Sequence, residues 1–79
     1  MSGDEVIKLV RMANQIALNF EYGADKSKTV AAVLDHLTRF WTLEMKQSII
    51  AYARSGGDGL GEVAAEAVTQ LADKYGAAA

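Results

Sequence analysis

The stretch ARSGGDGLGEVA, Ala53 to Ala64, holds four of the seven glycines in a chain of 79 residues. It has two readings: a loop that cradles a nucleotide phosphate, or a hinge between two helices. A dinucleotide loop needs Gly-x-Gly-x-x-Gly between a strand and a helix. The order here is Gly56-Gly57-Asp58-Gly59-Leu60-Gly61, which does not fit that spacing. No Lys-Ser or Lys-Thr pair follows, as a P-loop requires, and Asp58 would repel a phosphate. The periodicity before the glycines is helical. The stretch therefore reads as a helix stop followed by a helix start: the first glycines close one helix, and Asp58 or Gly59 begins the next.

Working outward, apolar residues recur at helical spacing on both sides of the hinge. After it, Leu60, Val63, Ala64, Ala67, Val68, Leu71 and Tyr75 line one face of a helix reaching Tyr75. Before it, Thr42 reads as the N-cap of a short helix ending near Arg54, with Met45, Ile49, Tyr52 and Ala53 inward. Ile50 falls off that face. A further helix from Lys26 to Trp41, capped by Asp25 or Ser27, turns Val30, Val33, Leu34, Leu37, Phe40 and Trp41 inward. Asp35 and Arg39 form an exposed i, i+4 pair on its far side. The first helix runs from Asp4 to Tyr22, with Val6, Leu9, Val10, Ala13, Ile16, Ala17 and Phe20 inward and Gly23 as its stop. No segment alternates with period two. The expected fold is all-α, a single-domain bundle of about four helices over residues 1–79, with residues 1–4 and 76–79 frayed.

Composition narrows the function. A chain of this length buries roughly 60% of its unfolded surface, so its core is marginal. It has no cysteine and one histidine, His36, which excludes disulfides, thiolate metal sites and a His-rich zinc site. Support beyond its own core would come from a partner or from good helix packing. The net charge of −2, with Lys26 and Lys28 the one tight basic group and Asp25 beside it, gives no footprint for nucleic acid. No apolar run has the length of a membrane span, and the acidic start MSGDEVIK does not fit a signal peptide. The expected location is the cytoplasm.

No catalytic constellation is legible. Asp35 and His36 are adjacent on a helix and point about 100° apart, so they make no dyad. His36 reads as a boundary residue. Ile7, Arg11, Asn14 and Leu18, by contrast, form a row about 100° from the core stripe of the first helix. This row is either the edge of a wide core face or a docking strip. In the second reading Ile7 and Leu18 are apolar anchors and Arg11 and Asn14 polar specifiers. Trp41 would join as an anchor if only partly buried, and Ile50 would extend the patch.

Three runs, KLVRMANQIALNF (Lys8 to Phe20), HLTRFWTLEM (His36 to Met45) and GGDGL (Gly56 to Leu60), together resemble the delta subunit of soluble NAD-dependent formate dehydrogenase. The resemblance spans roughly Val6 to Leu71. The family often has proline soon after Phe-Trp and after Gly-Leu, where this chain has Thr42-Leu43 and Gly61-Glu62. The resemblance implies a non-catalytic subunit bound to a large catalytic subunit that oxidises formate at a molybdenum or tungsten bis-pterin guanine dinucleotide centre. It implies iron–sulfur clusters and FMN in the partner subunits and no cofactor in this chain. The implied role is assembly, stability or cofactor insertion of the large subunit. Two other classes fit less well. One is a small self-associating helical interaction module. The other is a helix-turn-helix, disfavoured because Lys74 is the one base on the last helix.

Overall fold

Capping residues set the helix ends. The computed structural model describes residues 2–21 and 25–75, with side chains from Glu5 onward. They form α1 (Ser2–Asn19), α2 (Lys26–Phe40), α3 (Leu43–Arg54) and α4 (Glu62–Tyr75), with no strand among the described residues. The all-α, four-helix expectation holds. Asp25 caps α2, its carboxylate accepting the Ser27 N–H at 3.0 Å. Thr42 caps α3, its hydroxyl accepting the Met45 N–H at 3.1 Å. Each satisfies an amide that the first helical turn leaves without a partner.

Some boundaries differ. α1 starts at Ser2 rather than Asp4, and it ends at Asn19 rather than Tyr22. Its end tightens through Glu21 N–H to Leu18 C=O, 3.2 Å. Tyr22, Gly23 and the tail 76–79 lie outside the described residues. α4 starts at Glu62, later than Asp58 or Gly59. The residues between have other work, described below.

α2 packs most extensively on α4, and α3 also packs on α4. α1 makes smaller contacts with all three. The largest fully buried side chains are Val33 and Leu37 of α2, Ile49 of α3, and Val68 and Leu71 of α4. Each such side chain contributes about 1.5–3 kcal/mol. From α1 the tightest contact is Ala13, with Leu9 and Val10 at the margin of the core. α1 is thus the outer helix of the bundle. The radius of gyration is 11.6 Å, about what a compact chain of this length has.

Two core expectations fail. Phe40 is 69% exposed rather than inward. It is the last residue of α2, and at Trp41 the backbone turns extended (φ −87°, ψ 143°). The indole enters the core, and the Phe40 ring instead stands beside His36, centroids 4.8 Å apart. Ile50, placed outside by periodicity, is buried. The buried arc of α3 runs through Ile49, Lys46 and Ile50, while Met45 and Tyr52 lie at its half-buried edge. Lys46 disguises this arc. Its Nζ donates to the Thr38 carbonyl at 2.8 Å and lies 4.5 Å from the Tyr75 ring centroid. It satisfies a carbonyl left open in the last turn of α2 and ties α3 to the end of α4.

Candidate interaction surface

The glycine stretch is a hinge in which the Gly56, Gly57, Leu60 and Gly61 amides are already used. α3 closes with Gly56 N–H on Ala53 C=O and Gly57 N–H on Tyr52 C=O, at 3.2 and 3.0 Å, the paired bonds of a Schellman end. Gly57 has φ +65°, a region an L-residue enters at a cost of about 1–2 kcal/mol. The Leu60 N–H then donates to Gly57 C=O, and the Tyr52 hydroxyl holds the Asp58 carbonyl at 2.7 Å. A phosphate cradle would need these amides free.

The loop is also fastened to α1 through Asn14. Its side-chain amide donates to Gly59 C=O at 2.8 Å and accepts from Gly61 N–H at 2.8 Å. This clamp delays the start of α4 to Glu62. It also redefines the row on α1. Ile7, Arg11 and Leu18 are exposed, with Leu18 at 62%. Asn14 is half-buried, with its amide turned to the loop. The row exists, but the member read as a polar specifier holds the fold. Trp41, 6% exposed, belongs to the core and presents little surface. Ile50 likewise adds nothing to a patch.

Other large apolar side chains reach solvent. Met12, Phe40 and Leu43 are exposed along with Ile7 and Leu18. Met12 lies on the opposite flank of α1 from the Ile7–Leu18 row. Beside it opens a groove of about 400 Å³ lined by Ile16, His36, Phe40, Trp41 and Met45. Periodicity alone could not find this flank, because Met12 lies outside the core stripe and Phe40 inside the predicted one. The helix ends carry the missed signal: Phe40 precedes the Thr42 cap, and Leu43 follows it. His36 is a boundary residue, half-buried with Phe20 edge-on at 5.9 Å and Phe40 on its other side.

The charged groups serve structure. Lys26 and Glu62 join the starts of α2 and α4 at 2.7 Å, and this bond with its ammonium charge holds the Glu62 carboxyl below its ordinary value. Asp35 and Arg39 pair at 3.2 Å along α2. Among the described residues, no three His, Asp or Glu side chains converge as metal ligands, and no helix is long and apolar enough to cross a membrane.

The chain is a small all-α bundle, internally fastened and carrying large apolar side chains on both flanks of its outer helix. Residues 8–68 match the family model described as NADH-dependent formate dehydrogenase delta subunit FdsD, and the chain belongs to that family. No curated protein and no solved structure matches it.

Proposed function

We infer that this chain is a non-catalytic delta subunit that binds the large, formate-oxidising subunit of a cytoplasmic formate dehydrogenase and supports its assembly, stability or cofactor insertion. The observation that carries this reading is the exposed row on α1. Ile7 and Leu18 stand on either side of Arg11 on one helix, and both are large aliphatics with no covering element. Leaving such side chains in water forgoes the ~1.5–3 kcal/mol each that burial returns, and a partner surface recovers it. Asn14 and Trp41 act from inside, the first fixing α1 against the glycine loop and the second filling the α2–α3 corner. The molybdenum or tungsten centre, the iron–sulfur clusters and the FMN belong to the partner subunits.

A ligand that binds only the folded partner stabilises it by mass action. The test is co-expression of the tagged full-length chain with the other subunits of its formate dehydrogenase. The large subunit is expected to co-purify and to melt at a higher temperature than without the chain. Arg11→Ala and Leu18→Ala should weaken the complex by about 1–3 kcal/mol each. Unchanged affinity in both would remove this face of α1 from the interface. A lone chain or a homodimer, with no metal-bearing partner, would refute the subunit reading.

A further inference from the structure

The second flank of α1 borders a groove with a direction. Two depressions meet at Met12 and Met45, which line both. Their volumes are about 350 and 400 Å³; the first lies between α1 and α3, the second between α1 and the end of α2, and they share the two methionines. From Glu5 to Ile16 the groove follows α1 for about 16 Å, three turns of a helix. The inner end is mostly apolar, with Ile16, Trp41 and Phe40 beside His36 and Gln15. The outer end is rimmed by Glu5 on α1 and Glu44 on α3. Among the described residues neither carboxylate has an ion-pair or hydrogen-bond partner. Each outweighs the half-charge of its own helix N-terminus. Lys8, also at this end, is about 60° round α1 from Glu5 toward solvent, whereas Met12 lies within about 20° of Glu5. The groove is therefore mostly apolar at one end, while the other is lined by two carboxylates and the Lys8 ammonium, an excess of one negative charge. Its two methionines are the side chains that most readily repack around an incoming surface.

We propose that this groove takes one amphipathic helical segment of a partner subunit, its apolar face seated on Met12, Met45 and Phe40 and a lysine or arginine held by Glu5 and Glu44. The proposal rests on the subunit reading above and adds the partner's chemistry and its polarity along the groove. An acidic or uncharged segment would leave the excess carboxylate charge over Lys8 without compensation at the moment the groove is desolvated. A second copy of this chain is the less favoured occupant, because matching grooves in a two-fold pair would bring acidic rims together or leave them unpaired.

The experiment uses the co-expressed complex with full-length chain. A photo-reactive benzoylphenylalanine is placed at Met12, at Ile7, or at Lys28 on the far side as a control. The position-12 probe is expected to cross-link a single partner segment with apolar residues at helical spacing and a Lys or Arg next to them. Glu44→Lys should weaken the complex about tenfold, and reversing the charge of the cross-linked base should restore it. Cross-links from position 7 but none from position 12 would overturn the groove and leave the subunit reading standing. A cross-linked segment without a base, an unchanged affinity in Glu44→Lys, or a cross-link to a second copy would each overturn the proposal. Failure of any formate dehydrogenase subunit to co-purify would overturn both readings together.

Discussion

Replacing Asn14 by alanine separates a folding role from a recognition role. The side chain makes two hydrogen bonds of 2.8 Å, one to Gly59 C=O and one from Gly61 N–H. A net intramolecular hydrogen bond contributes about 0.5–1.5 kcal/mol. The site is at the surface, so water partly replaces what is lost, and the pair together comes to about 2 kcal/mol. Against a total stability of about 4–12 kcal/mol for a chain this size, that is a large share. It corresponds to a fall in Tm of roughly 8–16 °C. Trp41, the one tryptophan and a buried one, reports unfolding by fluorescence in a urea titration. Hydrogen exchange at the Gly61 amide supplies the local reading, because Asn14 is its acceptor and protection there should collapse in Asn14→Ala. A loss under about 0.5 kcal/mol, with Gly61 protection unchanged, would refute the clamp. A recognition role would leave stability intact and weaken partner binding instead. The clamp predicts the reverse order: stability falls first, and binding falls only as far as α1 is displaced.

Lys46→Met keeps the buried stem but leaves the Thr38 carbonyl without its donor. It should cost about 1–3 kcal/mol by urea titration, more than any exposed lysine. Gly57→Ala forces a side chain into φ +65° and should cost about 1–2 kcal/mol, visible as a lowered midpoint with unchanged slope. Leu37→Ala opens a cavity in the α2–α4 core and should cost about 2–5 kcal/mol, leaving a large unfolded fraction at 37 °C by circular dichroism. Lys26 lowers the Glu62 carboxyl from its ordinary 4.5. The stability Glu62 contributes is therefore present above that value and lost as pH falls through the lower, folded one. The gap between wild type and Glu62→Gln should be small at pH 7, shrink further with salt, and close on acidification; a gap that widened below pH 4.5 would contradict the pairing.

The helices were legible because their signals are local. Thr42 and Asp25 are polar residues just ahead of periodic apolar runs, and both cap as expected. The core stripes of α1 and α4 follow from spacing alone. What failed depended on distant residues. Nothing near Asn14 in sequence shows that its amide belongs to a loop 45 positions away. Lys46 carries a charge, so periodicity turned the inner face of α3 away from it and left Ile50 outside. Its acceptor at Thr38 and the ring at Tyr75 lie on two other helices. Phe40 and Trp41 could not both follow a 100° rotation once the helix ended between them, and sequence did not say which ring would turn inward. The Ile7–Leu18 row was legible because exposure there follows from rotation alone. The groove on the other flank was not, because α3 and the end of α2 form its other walls.

Three residues of the runs that make this chain recognisable hold its fold. Asn14, in the run Lys8 to Phe20, and Gly59, in the run Gly56 to Leu60, are two halves of one contact. Trp41, from the middle run, fills the corner where α2 passes to α3. These positions fix where α1 lies. On the first helix Ile7, Arg11 and Leu18 are exposed on one flank and Met12 on the other. The same geometry makes the docking faces sensitive to the hinge. α1 is held by Leu9, Val10 and Ala13 in the core and by two hydrogen bonds to the glycine loop. A partner that covers both flanks would supply to α1 the apolar burial that this small core does not.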